Sequence, residues 1–386
     1  MHIPGDTIHD RLTSKGITRR EFLKFCTFMA GALALPPSAG EDIARALSKA
    51  KRTPVVWLEL QDCAGCSEAF LRASSPSAAE VILDLLSVDY QETIMAASGY
   101  LAEEAKDATI KAGGYILIVE GSISPADDGV YCCIGGKSSV QLLKEAAANA
   151  VAVIALGNCA TFGGLPKANP NPTKAVGVMD IISDKPVLNL PGCPVNVVNL
   201  TATVVHYLTF NKLPEMDKLH RPLFGFGHLI HDNCERRGHF DAGQFVKKWG
   251  DEGHRQGWCL YQMGCKGPIS SHNCPSVRYN EGVSWPVGSG HGCIGCSEPG
   301  FWDWPTYQPV QVSAFTPPTT YPRIKEETQA ITPGGAAISG GTVGAIIGAA
   351  AAFWYMSVTR RLSTKKESGG LEPEELPETP KEESEP

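Results

Sequence analysis

The chain has 386 residues, 43% of them hydrophobic, and a formal net charge of -7. That is enough for two domains with buried cores, and the negative balance excludes a nucleic-acid binder on charge. Thirteen cysteines are an odd number, so full intramolecular disulfide pairing is impossible and at least one thiol is free, ligated or removed.

Near the amino terminus Thr18-Arg19-Arg20-Glu21-Phe22-Leu23-Lys24 precedes an apolar run, Phe25 to Leu35, and then Pro36-Pro37. This matches a twin-arginine export signal; the plain alternative is an amphipathic first helix with a fortuitous arginine pair. Such signals act on proteins already folded around a cofactor, so exported cysteines filled beforehand need form no disulfides. Residues 1–50 are read as leader, with cleavage expected between Ala39 and Ala50 and loss of Cys26.

From Pro54 strand and helix signals alternate. Val55 to Leu60, Tyr115 to Val119, Ala152 to Leu156 and Val187 to Leu190 are short apolar runs, and Ala78 to Leu86, Ser139 to Ala148 and Val195 to Phe210 have helical periodicity. The pattern predicts an α/β fold, a doubly wound and mainly parallel sheet over residues 51–215. Cys63, Cys66, Cys159 and Cys193 each follow the carboxyl end of a predicted strand, and those ends share one ligand-binding edge. Four thiolates gathered there suit a four-iron cluster or tetrahedral zinc. A Cys-x-x-Cys pair by itself also fits a thioredoxin-like redox site, which Cys159 and Cys193 argue against. Glu120 shares the edge, either facing the site or serving as a solvated or helix-capping carboxylate. Cys132 and Cys133 have no matching partners and are expected to be buried free thiols outside the ligand set.

Residues 216–312 are rich in glycine and proline, with little periodicity. His231-x-x-Cys234, Cys259, Cys265, Cys274 and Cys293-x-x-Cys296 crowd six thiols and a spaced imidazole into this stretch. Soft donors at this density point to inorganic centres, whose metal bonds replace a conventional core. A disulfide knot and a zinc ribbon are the alternatives.

Taken together, Asp62-Cys-Ala-Gly-Cys-Ser-Glu68, Gly157-Asn-Cys-Ala-Thr-Phe-Gly-Gly164, Pro191-Gly-Cys-Pro194, His231-Asp-Asn-Cys234, Cys259-Leu-Tyr-Gln-Met-Gly-Cys-Lys-Gly-Pro268, His272-Asn-Cys-Pro275 and Gly292-Cys-Ile-Gly-Cys296 resemble the small, electron-transferring subunit of nickel-iron hydrogenases. The resemblance runs from the export signal to about Val312. It implies a flavodoxin-like domain, an irregular iron-sulfur domain and three clusters in a line. A proximal four-iron cluster would use Cys63, Cys66, Cys159 and Cys193. A distal four-iron cluster would use His231, Cys234, Cys259 and Cys265, the neutral imidazole favouring its reduced state. A medial three-iron cluster would use Cys274, Cys293 and Cys296, with non-ligating Pro286 where a four-iron homologue has its fourth cysteine. His220, His228, His239, His254, His272 and His291 are read as structural or solvent-facing. Some oxygen-tolerant relatives carry two further cysteines at the positions of Gly65 and Gly164, so this chain resembles the standard type.

A proline-rich linker, residues 313–335, leads into Ala336 to Val358, 23 residues without a charge. At 1.5 Å per residue these span roughly 34 Å as a helix, enough for one membrane crossing; a flexible linker is the alternative. Phe353-Trp354-Tyr355 suits an interfacial belt, and Ala336, Gly340, Gly344, Gly348 and Ala352 give a small-residue face for a partner helix. Arg360, Arg361, Lys365 and Lys366 keep the following acidic tail, residues 359–386, on the cytoplasmic side. The expected molecule is therefore a subunit of a membrane-anchored uptake hydrogenase, its body on the periplasmic face of the inner membrane. The resemblance assigns the nickel-iron site to a large subunit, and the membrane span implies a cytochrome b or another quinone-reducing integral subunit. The rival readings are a zinc-binding structural protein and the iron-sulfur subunit of a quinone-reductase-type complex.

Overall fold

The computed structural model describes residues 7–8, 18–50, 52–73, 85–280 and 282–305. Its strands are β1 Thr53–Glu59, β2 Leu86–Tyr90, β3 Tyr115–Glu120, β4 Cys133–Ile134, β5 Lys137–Ser138, β6 Ala150–Leu156 and β7 Val187–Leu190. Five of them pair in parallel in the order β2-β1-β3-β6-β7, while β4 and β5 form a separate antiparallel hairpin. Without that hairpin the order is that of the flavodoxin-like doubly wound sheet, with its switch point between β1 and β3.

The principal helices are α1 Arg19–Ala32, α2 Ala39–Lys49, α3 Gly65–Leu71, α4 Tyr100–Ala112, α5 Ser139–Ala148, α6 Gly157–Phe162 and α7 Val197–Phe210. Strand side chains alternate between two faces. Val55, Trp57, Ile116, Ile118, Ile154 and Leu188 join α7 on one side, whereas Val56, Leu58, Leu117, Val119 and Val153 join α4 and α5 on the other. Both faces are covered, and this is why the strands read as continuous apolar runs.

Two elements differ from expectation. The helix expected from Ala78 to Leu86 falls largely outside the described residues, and Leu86 instead opens β2. Helix α4 was not anticipated, because it buries only Ala102 and Lys106 and so carries almost no apolar stripe. The paired arginines lie exposed on the first turn of α1, where Thr18 and Glu21 form a capping box. The apolar face of α1, Phe22, Cys26, Met29 and Ala30, packs with Ile43 and Leu47 of α2 into the cluster that holds α7. Residues 19–49 thus form an amphipathic helical hairpin on the sheet domain. Among the described residues no helix is long and apolar enough to cross a membrane. The span expected at 336–358 and its flanks lie outside the described residues.

Beyond α7 the chain runs in short helical turns. Its core is small, with Ile230, Val246, Leu260, Met263, Trp285 and Val287 packed around Cys274 and Cys293. Polar side chains fasten it to the sheet domain. Asn158 donates to the carbonyls of Cys296 and Glu298 at 2.8 and 3.2 Å. Within the stretch itself, buried Arg221 pairs with Asp217 at 2.8 Å and Glu298 at 2.9 Å, and Glu298 accepts from the Ser271 N–H.

Removing one member of such a group strands the others in low dielectric. Arg221→Met should cost about 3–5 kcal/mol, read as a lower urea midpoint, and Glu298→Gln in the same chain should recover part of the loss.

Candidate functional site

The topology brings Cys63, Cys66, Cys159 and Cys193 to one edge. Cys63 precedes α3 and Cys66 lies within it just after β1, Cys159 lies in α6 after β6, and Cys193 follows β7. Each is within electrostatic reach of others: Cys66 of Cys159 and Cys193, and Cys159 and Cys193 of Cys63. Glycines make room beside the sulfurs. At Gly157, with φ +79°, an added Cβ would stand 2.4 Å from the Cys66 sulfur, and at Gly164, with φ +57°, 2.6 Å from that of Cys159.

His231, Cys234, Cys259 and Cys265 line a second cavity, together with Arg236 and Tyr261. His231 is buried, its ring edge-on to Phe240 at 4.4 Å. Burial, helped by the charge of Arg237, lowers it to about 4. The imidazole is therefore neutral at physiological pH, the form that ligates metals.

Cys274, Cys293, Cys296 and Pro286 line a third cavity of about 620 Å³, which Cys193 and Tyr279 also border. Neighbouring groups touch in series. The Cys193 N–H donates to the Cys296 sulfur, and the Cys293 N–H donates to the Cys265 sulfur at 3.2 Å.

The donor chemistry suits thiolate-bound iron. Backbone N–H groups point at sulfur: Val195 to Cys66 at 3.4 Å, Arg236 to Cys234 at 3.4 Å and Gly295 to Cys293 at 3.3 Å. Such bonds favour the anionic ligand. Burial acts the other way, pushing Cys159 up to about 12 and Cys193 and Cys234 up to about 11. Bound cations offset that penalty, and loading then releases the thiol protons. Among the described residues no three His, Cys, Asp or Glu side chains meet closely enough to hold a single metal ion. Cys193, Cys274, Cys293 and Cys296 border one cavity instead, and Cys234, Cys259 and Cys265 another.

Glu120, left open from the sequence, is a buried cap. It accepts from the backbone N–H of Cys66 at 3.0 Å and Ser67 at 3.1 Å, and from the Trp57 indole at 3.3 Å. It thereby fixes the turn that carries Cys66. The Ser67 hydroxyl lies 2.7 Å from both Glu120 and Glu59. Burial raises Glu120 to about 7, with Ser67 opposing.

One expectation needs correction. Cys132 is half-buried and packs with Ile134 against the core, but Cys133, between them, is exposed. His272, read as structural or solvent-facing, is buried with its Nδ1 3.1 Å from the Cys274 sulfur. Its place two residues before Cys274 was the only sequence signal.

Residues 226–308 match the family model for the carboxy-terminal part of the NiFe/NiFeSe hydrogenase small subunit, and residues 63–207 match NADH ubiquinone oxidoreductase, 20 Kd subunit. The uptake hydrogenase small subunit of Azotobacter vinelandii is 46% identical over 93% of this chain and 98% of its own. The chain belongs to the nickel-iron hydrogenase small-subunit family. The periplasmic [NiFe] hydrogenase small subunit 1 of Nitratidesulfovibrio vulgaris is 48% identical over 76% of this chain and 93% of its own. The solved [NiFeSe]-hydrogenase of Desulfomicrobium baculatum superposes with a TM-score of 0.63 at 34% identity, covering 67% of this chain and 99% of that one. As a hydrogenase small subunit the protein is an electron-transfer component that carries iron-sulfur clusters. The match of residues 63–207 explains why a quinone-reductase-type subunit was a rival: that domain is common to both, and residues 226–308 separate them.

Gly157→Ala places a methyl group against Cys66 at a positive φ. It should destabilise the small subunit by about 1–3 kcal/mol and reduce its iron-to-protein ratio, measured by thermal melting and metal analysis.

Proposed function

We propose that the chain relays electrons from hydrogen oxidation on a large subunit to a quinone-reducing membrane partner, holding two four-iron clusters and one three-iron cluster in series. Cys63, Cys66, Cys159 and Cys193 hold the proximal cluster. Cys274, Cys293 and Cys296 hold the medial one, and His231, Cys234, Cys259 and Cys265 the distal one. The observation that carries this reading is the pair of hydrogen bonds between groups, the Cys193 N–H to the Cys296 sulfur and the Cys293 N–H to the Cys265 sulfur. When bound, iron-sulfur clusters supply reversible one-electron storage. The protein's part is to fix their spacing, exclude water and aim N–H groups at the sulfurs.

Pro286 borders the medial cavity, and its ring offers no donor to iron. The nickel-iron site belongs to the large subunit, since the ten ligand cysteines leave only Cys26, Cys132 and Cys133. Residues 1–50 act as a twin-arginine leader, a reading supported by the exposed Arg19 and Arg20. Ala336 to Val358 cross the inner membrane once, placing residues 51–215 and 216–312 on the periplasmic face and the tail in the cytoplasm. The periplasmic name of one relative agrees with that side.

Purification with the natural partner, followed by nickel, iron and acid-labile sulfide analysis, tests the assignment. Iron and sulfide on this chain with nickel on its partner are expected. Zinc without sulfide, or a partner lacking nickel, contradicts it. Pro286→Cys should replace the oxidised three-iron paramagnetic signal by a four-iron one in the reduced protein; an unchanged three-iron signal shows the position to be misplaced.

A further inference from the structure

The Cys274 sulfur is reached by two side chains, in contrast to the sulfurs met by backbone N–H groups. His272 Nδ1 lies 3.1 Å from it, and the Tyr279 hydroxyl is within hydrogen-bonding reach. His272 is only 2% exposed, with its ring edge-on to Phe226 at 4.9 Å. Its far nitrogen, Nε2, is buried and has no hydrogen-bond partner among the described residues. A sulfur bound to iron has no proton to give, so the shared hydrogen must sit on Nδ1. The ring then buries a lone pair that meets no donor among the described residues. Phenylalanine would fill the same space without that cost.

Both donors are braced. Asn273, between His272 and Cys274, exchanges two hydrogen bonds with Asn199 of α7 at 3.0 and 2.9 Å. The Tyr279 hydroxyl also lies 3.3 Å from the Pro194 carbonyl, beside Cys193, so its single hydrogen is divided between two acceptors. His272 is therefore the firmer donor to Cys274.

We propose that His272 is a positioning residue that tunes the medial cluster, its Nδ1–H bond to Cys274 raising that cluster's reduction potential. Reduction adds negative charge to the ligating sulfurs, and a fixed N–H dipole aimed at one of them stabilises the reduced form more than the oxidised form. The inference rests on the three-cluster reading above, and the test separates the two.

The experiment is a redox titration of the complete hydrogenase, followed by low-temperature paramagnetic resonance. It compares the unaltered protein with His272→Phe, His272→Gln and Tyr279→Phe. Absence of a medial signal from the unaltered protein overturns the cluster reading itself. With that signal present, His272→Phe is expected to lower the medial midpoint by about a tenfold change in the oxidised-to-reduced ratio, ~59 mV for one electron. Proximal and distal midpoints should stay in place. His272→Gln, whose amide can still donate, should recover part of the shift, and Tyr279→Phe should produce a smaller shift of the same sign. An unchanged medial midpoint in a fully loaded His272→Phe protein overturns the proposal and leaves the clusters standing. Should that variant fail to assemble, nuclear double resonance on unaltered protein labelled with nitrogen-15 histidine decides. Coupling of a histidine nitrogen at the medial signal, separate from the His231 coupling at the distal one, supports the proposal, and its absence overturns it.

Discussion

Thiols buried next to one another are the constraint on which this structure turns. An apolar interior disfavours each thiolate, and each thiolate disfavours its neighbours, so burial and mutual repulsion push Cys66, Cys159 and Cys193 upward together. Glu120 adds another acidic group beside Cys66. An arrangement of that kind is costly unless cations enter it, and then the same low dielectric strengthens the attraction. Cofactor and fold are one system here. The glycines at 157 and 164 and the N–H groups aimed at sulfur are the local means by which the backbone accommodates it.

The same constraint explains why two halves of such different regularity coexist. Residues 53–210 obtain their shape from a sheet buried on both faces, and strand order brings Cys63, Cys66, Cys159 and Cys193 to one edge as a by-product. The following stretch has no comparable scaffold. Cys274 and Cys293 sit inside its small core, Asn158 and Asn199 attach it to the sheet domain, and the Arg221–Glu298 pair braces it from within. Placing Asn158 and Asn199 beside Cys296 and Cys274 fixes the group of Cys274, Cys293 and Cys296 relative to that of Cys63, Cys66, Cys159 and Cys193. Electron transfer needs that, because its rate depends steeply on separation.

Much of this was legible in the amino-acid sequence, for identifiable reasons. Four of the five sheet strands read as uninterrupted apolar runs because both faces are covered, and the cysteines could be placed because parallel topology gathers strand ends. Strand β2 was missed because Leu86-Ser-Val-Asp-Tyr90 is short, partly exposed and preceded by a helical pattern. Helix α1 was legible as apolar, but an apolar run looks the same whether it awaits export or packs on α7. Glu120 stayed ambiguous because a strand-end carboxylate can face solvent or cap a helix, and only the position of α3 decides. His272 was passed over among several histidines because tautomer, burial and the distance to Cys274 are properties of the fold.

The most direct test of three cofactors in series is an anomalous-scattering map at the iron edge from crystals of the hydrogenase. The account predicts three separate iron maxima: one among Cys63, Cys66, Cys159 and Cys193, one among Cys274, Cys293 and Cys296, and one among His231, Cys234, Cys259 and Cys265, with none bonded to Pro286. Single-atom zinc peaks at these cysteines, or an iron maximum missing from any of the three groups, would contradict it.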